Sequence, residues 1–299
     1  MVKHQITTDL VKSLISKQFP IWQDLLIEPV VVQGWDNRTF RLGNHLLVRM
    51  PSAVEYAPKI IKKQKWLPKL SSLLPFAIPK PIAMGNPDEN FPYPWSVYNW
   101  LEGNSAASLH VFDADNIASS LAQFVTALNN IDTSDGSSNE LIAEPGDFAY
   151  IDGLKFYDAE MRQAIDLLKD QIDANVATKI WDQALATTWQ STPVLVHGDI
   201  SAGNILIKEE QLSSVIDFGG LSIGDPACDL VIAWKFFRGK GRKIFRESLS
   251  FNNDTWHRAR GWALWKSMII AANLTESNQV ETLSAWPTIQ EIIQEYKLI

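Results

Sequence analysis

The sequence contains almost no cysteine. Cys228 stands alone, so the chain cannot close an intrachain disulfide, and nothing points to an oxidising compartment. Its surroundings, Pro226-Ala227-Cys228-Asp229-Leu230-Val231, are apolar and bring no histidine close in sequence, so the thiol reads as core packing rather than as a nucleophile. Long apolar runs are also missing. The best candidate, Trp262 to Leu274, is interrupted by Lys266 and falls short of the ~20 residues a membrane span needs. Met1 to Asp9 has no apolar signal-like core, which makes the cytoplasm the expected location. Basic tracts are absent and the net charge is −7, which argues against a nucleic-acid partner. No internal repeat or low-complexity tract interrupts the 299 residues. What remains is a chain that is 46% hydrophobic, enough for one large core or two modest ones.

The charge is unevenly spread. Residues 1–100 hold 12 Lys and Arg against 7 Asp and Glu, a surplus of +5. Residues 101–299 hold 15 against 27, a balance of −12. Solvated surface accounts for much of this, but a basic half suited to phosphates and an acidic half suited to a cation would look the same.

Local patterns divide at the same place. Thr8 to Phe19 reads as a helix capped by Thr8 or Asp9, with Leu10, Leu14 and Ile15 on one face. Pro29-Val30-Val31-Val32, Thr39 to Leu42, His45 to Met50 and Trp95 to Tyr98 read as strands, with a turn over Gln33 to Asn37. Glu55 to Leu70 reads as a helix with Pro58 in its first turn and Pro68 near its end. Leu101-Glu102-Gly103 is a break. Beyond it Ile117, Leu121, Phe124, Val125 and Leu128 share one helical face. Helical spacing continues over Tyr157 to Leu168, Val176 to Trp189, and from Asp225 onward. Trp234, Trp256, Trp262, Trp265 and Trp286 read there as core. A β-rich basic lobe, residues 1–100 with a hinge about 98–103, and a mainly helical acidic lobe, residues 104–299, make an α+β arrangement. A cleft is expected where such lobes join.

The informative segment runs from Val194 to Ile207 and contains His197-Gly198-Asp199-Ile200-Ser201-Ala202-Gly203-Asn204. Asp217 follows in Val215-Ile216-Asp217-Phe218-Gly219. Phosphoryl transfer asks a protein for a carboxylate that orients the attacking hydroxyl and takes its proton, and for oxygen ligands to Mg²⁺. Mg²⁺ keeps few protein ligands, filling its octahedron with phosphate oxygens and water. Asp199 suits the first role, Asn204 and Asp217 the second. A hairpin of Ile205 to Ile207 with Val215 and Ile216 would hold the two metal ligands side by side.

His-Gly-Asp, Asn five residues after the Asp, and a later Ile-Asp-Phe-Gly together resemble the aminoglycoside phosphotransferase family, relatives of the protein kinases. Gly224-Asp225-Pro226-Ala227-Cys228-Asp229-Leu230 resembles that family's Gly-Asp-Pro-Ala-x-Asp-Leu. The tight match covers residues 194–231. The resemblance implies a two-lobed protein-kinase-like fold and transfer of the γ-phosphoryl of ATP or GTP, with Mg²⁺, to a hydroxyl of a small molecule. It implies Asp199 as the acceptor-orienting carboxylate and His197 as a scaffold of the catalytic loop. Asp225 and Asp229 read as caps or loop braces. In the first lobe it implies that Gly34 and Asn37 cover the phosphates and that Arg49 stands where the family has a phosphate-holding lysine. The main chain of Tyr98, Asn99 and Trp100 would face the base. Two departures stand out: the lysine is Arg49, and the helix glutamate that should anchor it falls on Lys63, with Glu55 as an alternative anchor. The acceptor would be an aminoglycoside, a macrolide or another natural product, polar neutral or amine-bearing given the −12 balance. Rival readings are a metabolic kinase of the choline, homoserine or sugar type and a nucleotide-binding pseudokinase. A metal-dependent phosphohydrolase is a weaker rival, since it would usually show more His and Asp ligands.

Overall fold

The computed structural model describes residues 5–31, 33, 36–109, 113–134 and 138–298. The chain forms two compact units: Met1–Gly103 with Ser214–Ile216, and Asn104–Ser213 with Asp217–Ile299.

The first unit is built on one antiparallel sheet. Its strands are β1 (Ile27–Pro29), β2 (Asn37–Leu42), β3 (Leu46–Pro51), β4 (Pro81–Gly85) and β5 (Trp95–Asn99), in the order β1-β2-β3-β5-β4. Alternation sets the faces: Phe40, Leu42, Val48, Met50, Trp95 and Val97 turn inward. Val11, Leu14 and Ile15 of helix α1 (Thr8–Gln18) pack on them. The cap of α1 is Thr7, whose Oγ1 accepts from Leu10 N at 3.2 Å, one residue before the expected Thr8. Asp9 lies instead in the first turn, where the helix dipole favours a carboxylate. The run Pro29 to Val32 was expected as a strand, but β1 ends at Pro29 and Val31 is 97% exposed. Val32 lies outside the described residues. Proline lacks the N–H a continuing strand needs. Helix α2 (Ala57–Leu70) accommodates Pro58 at its start and Pro68 in its last turn.

The second unit is mainly helical, which makes the whole an α+β fold. Its helices are α3 (Ala114–Asn129), α4 (Gly153–Phe156), α5 (Asp158–Leu168), α6 (Ala174–Leu185), α7 (Ile232–Lys235), α8 (Gly239–Glu247), α9 (Asn253–Ala271) and α10 (Gln279–Lys297). Helix α9 is apolar on nearly every face, so it sits inside, packed by α5, α6 and α10. Trp234, Trp256, Trp262 and Trp265 are buried as expected, while Trp286 is only half-buried. The short strands are β6 (Asn104–Ser105), β7 (Val194–Val196), β8 (Ile205–Lys208), β9 (Gln211–Val215) and β10 (Ser222–Gly224). They pair as β6-β8-β9 and β10-β7. Glu209 and Glu210, with φ of 51° and 61°, turn β8 into β9. None of the described helices is long and apolar enough to cross a membrane.

Candidate active site

Strand β7 ends in His197-Gly198-Asp199, and the β8–β9 hairpin ends in Asp217. Two glycines let these loops touch. Gly198 has φ +79°, and a Cβ there would meet the Gly220 carbonyl oxygen at 2.3 Å. Only a backbone without a side chain fits that contact. Asp217 is itself left-handed, with φ 63° and ψ 63°. A non-glycine residue held so is strained, and such strain persists where the surroundings over-determine it.

Asn204 joins Asp199 directly. Its Nδ2 donates to the Asp199 carbonyl and to Asp199 Oδ2, both at 2.9 Å. That use of the amide nitrogen leaves the Asn204 side-chain oxygen as the acceptor end. Ser105 Oγ donates to the Ala202 carbonyl at 3.1 Å and fixes the loop's turn. Asp199 is reached by solvent yet ringed by protein. Desolvation, then the neighbouring Asp217 charge, push its pKa up to about 7, although Asn204 opposes the rise.

The loop is braced from behind. His197 is fully buried, its Nδ1 accepts the Asp199 N–H at 3.2 Å, and its ring lies 4.5 Å from that of Phe218. It is a scaffold of the loop by position. Asp229 accepts the His197 and Gly198 N–H groups at 2.7 and 2.8 Å. Burial pushes its pKa up to about 6 despite those bonds. Asp225 caps the turn at Pro226 by accepting Ala227 N–H at 3.0 Å. It also takes a two-pronged bond from Arg258 at 2.5 and 3.1 Å, with both side chains 3% exposed. The sequence gives no sign of Arg258, because nothing in its local pattern points 33 residues back. Burial pushes the Cys228 thiol far up, in keeping with a packed thiol.

The first unit holds the other expected residues. Gly34 lies outside the described residues. Asn37 is not in a turn: it opens β2, is 2% exposed and pairs across from Pro51. Arg49 lies on central strand β3 between Thr39 and Ser96. Lys63 is buried on α2, a helix without any Asp or Glu. Glu55 is exposed and makes no ion pair among the described residues, so it does not anchor Arg49. Gln64 Nε2 ties α2 to the sheet, donating to Ser96 Oγ at 2.8 Å, directly across from Arg49, and to the Ala83 carbonyl at 3.1 Å. Tyr98 is buried in β5. The Asn99 and Trp100 amides already donate to the Lys80 and His45 carbonyls at 3.1 and 2.7 Å. Of the main-chain groups of Tyr98 to Trp100, these two amides are therefore engaged within the fold.

A hard cation suits the second unit. Asp199 and Asp217 repel each other, and the Asn204 and Asp217 side chains offer only oxygen acceptors toward a metal. No group of three His, Cys, Asp or Glu is gathered as a metal cage among the described residues. Mg²⁺, which takes few protein ligands, fits such a set better than a structural metal would.

The model of the phosphotransferase enzyme family matches residues 29–262. The chain belongs to that family. The match runs from β1 to the middle of α9 and includes every expected site residue. Solved structures agree on the fold. The GDP complex of wild-type aminoglycoside 2'-phosphotransferase-IIIa superposes with a TM-score of 0.72 at 18% identity, over 97% of this chain and 99% of that one. The GDP and kanamycin complex of APH(2")-IIia gives 0.69 at 18%, over 96% and 98%. Macrolide 2'-phosphotransferase MphH from Brachybacterium faecium gives 0.63 at 18%, over 94% and 97%. No curated protein sequence matches this chain. As a member of this family the protein is a small-molecule phosphotransferase with a β-sheet first lobe and a helical second lobe.

Proposed function

We propose that this phosphotransferase moves the γ-phosphoryl of ATP or GTP to a hydroxyl of a polar small molecule. The observation that carries the reading is the Asp199–Asn204 pair held against the loop of a left-handed Asp217. Asp199 orients the acceptor hydroxyl and takes its proton. The hydroxyl oxygen bonds to the γ-phosphorus as the bond from phosphorus to the β,γ-bridging oxygen breaks, and the nucleoside diphosphate leaves. Asn204 and Asp217 would hold Mg²⁺, which when bound would neutralise phosphate charge during transfer. His197 and Asp229 keep the Asp199 loop in place without touching substrate.

In this reading the first unit binds nucleotide and the second binds acceptor. Arg49 grips phosphate, bidentately as guanidinium can. Gly34 and the backbone about Asn37 cover the phosphates. With the Asn99 and Trp100 amides engaged, the base is left to the Tyr98 to Trp100 carbonyls and to Leu101 and Glu102 beyond the strand. The acceptor is polar neutral or amine-bearing, drawn by the −12 balance of residues 101–299. Kanamycin and macrolides, bound or modified by similar structures, are the first compounds to try. An enzyme consuming nucleoside triphosphate belongs in the cytoplasm.

A second reading, a nucleotide-binding pseudokinase, draws on Lys63 and the acid-free α2. Incubating the protein with Mg²⁺ and [γ-³²P]ATP or GTP against a panel of aminoglycosides, macrolides, choline, homoserine and sugars separates the two. Labelled acceptor is expected. Nucleotide binding without labelled product from any acceptor would favour the pseudokinase.

A further inference from the structure

The Asp199 loop is braced in two halves, and the second brace has no part in the reaction as drawn above. Asp229 holds the first half through the His197 and Gly198 N–H groups. The second half, residues 200–204, ends in the short turn Ala202–Asn204, which delivers Asn204 to the head of β8. Packing does little to hold that turn. Gly203 is exposed, and a Cβ there would meet Ser201 Oγ at 3.7 Å, an ordinary contact. A glycine in an exposed turn leaves the backbone free to shift.

Ser105 closes the turn from outside. Its Oγ donates to the Ala202 carbonyl at 3.1 Å and to the Gly203 carbonyl at 3.3 Å. The same oxygen accepts the Ala107 N–H at 3.3 Å, so the hydroxyl is used in both senses. Ser105 is itself well fixed. It pairs across from Leu206 in the β6–β8 ladder, its carbonyl accepts the Ser108 hydroxyl at 2.7 Å, and Ala106 beside it is buried. One proton is thus presented to the two carbonyls that immediately precede Asn204. Bonds within the loop then set Asn204 itself: its N–H donates to the Ser201 carbonyl at 2.9 Å, and its Nδ2 donates to Asp199. Where the Asn204 side-chain oxygen sits therefore depends on where Ser105 holds the peptide units leading to it.

We propose that Ser105 is a positioning residue for Asn204, and that by fixing the Ala202–Asn204 turn it makes the metal site prefer Mg²⁺ over Ca²⁺. Mg²⁺ demands near-ideal octahedral ligands at about 2.1 Å, whereas Ca²⁺ takes looser shells at about 2.4 Å. A ligand oxygen that wanders by about 0.5 Å still serves the larger ion and fails the smaller one. The inference rests on the reading of Asn204 as a metal ligand and adds to it what sets the choice of cation. Ser105 acts through the two carbonyls it holds.

The test uses the full chain and a non-hydrolysable ATP analogue, with Mg²⁺, with Ca²⁺, or with EDTA and no free cation. Binding is read by calorimetry, so turnover is not needed. Ser105→Ala is expected to weaken binding of the Mg²⁺ complex by about 10-fold, the upper scale of one uncharged hydrogen bond. Binding of the Ca²⁺ complex and of the metal-free analogue should stay within about threefold. Ser105→Thr keeps the hydroxyl and is expected to restore the wild-type preference. Thermal unfolding shows whether each variant is folded. Should Ser105→Ala not fold, Ser105→Cys, a weaker donor of similar size, decides. A merely structural role would lower all three affinities together, and that result overturns the proposal. So does a Ser105→Ala protein that keeps the Mg²⁺ preference while Asn204→Ala loses it, which leaves the metal reading standing. If Asn204→Ala binds the Mg²⁺ complex as the wild type does, the metal reading falls and the proposal falls with it.

Discussion

The two units differ in the sign of the buried charge beside their expected site residues. In the second unit the buried carboxylates have dedicated donors: Asp225 has Arg258, and Asp229 has the His197 and Gly198 amides. In the first unit the buried charge is cationic. Helix α2 carries Lys59, Lys62, Lys63, Lys65 and Lys69 with no acid among them, and Lys63 is 2% exposed. An acidic centre braced on itself suits a site that must keep its carboxylates aimed while a cation comes and goes. A basic helix beside an arginine-bearing strand suits a site that awaits phosphate.

The sharpest way to break that contrast is to remove the anion assigned to Mg²⁺ in the proposed function. Asp217→Ala is expected to weaken Mg²⁺-nucleotide binding by about 100-fold or more, while nucleotide binding without Mg²⁺ changes little. Unchanged affinity in calorimetry would show that the cation is held elsewhere. Next is the brace. Arg258→Ala leaves Asp225 buried with its charge uncompensated and is expected to cost about 3–5 kcal/mol in denaturant unfolding. Asp225→Asn combined with Arg258→Met should cost less than Arg258→Ala alone. A loss below about 1 kcal/mol for the single variant would mean the pair braces nothing.

A third effect is read from pH. Burial holds the folded-state pKa of Asp229 at about 6, above the ordinary 3.8. The folded protein binds that proton more tightly than the unfolded chain. The contribution is complete below pH ~3.8 and is lost as pH rises through about 6, a change on the order of 3 kcal/mol. Asp199, raised to about 7, extends the decline in the same direction. Asp229→Asn should flatten the slope between pH 4 and 6, whatever its effect on stability at one pH. An unaltered slope would contradict the account of that carboxylate. The smallest effect is expected in the first unit. Lys63→Glu should leave nucleotide KM within about threefold or lower it, since the resemblance puts the phosphate-anchoring glutamate at that position of a helix that has no acid. Arg49→Ala should raise KM by about 10-fold or more. A large loss from Lys63→Glu would show that the buried cation itself is needed.

How much of this was legible in the sequence differs between the units for the same physical reason. The Asp199–Asn204–Asp217 constellation is local: one loop and one hairpin carry it, so spacing reveals it. The amphipathic face of α3 and the buried tryptophans are likewise set by short-range periodicity. The Arg258–Asp225 bond joins distant segments, and no periodicity announces it. In the first unit, Asn37 looked like a turn residue because Gly34 and Asp36 flank it, yet it begins a buried strand. Which main-chain groups of Asn99 and Trp100 the sheet engages cannot be read from the strand itself. Their amides donate to the Lys80 and His45 carbonyls.

The central claim is that Asp199 is the carboxylate that receives the acceptor's proton. Its most direct test is the single-turnover rate of phosphoryl transfer in Asp199→Asn, measured with the best acceptor from the panel at saturating Mg²⁺-nucleotide. Nucleotide affinity is determined alongside. The rate is predicted to fall by about 10²- to 10⁴-fold while nucleotide affinity stays within a few-fold. A variant that transfers phosphate at most of the wild-type rate would contradict the assignment.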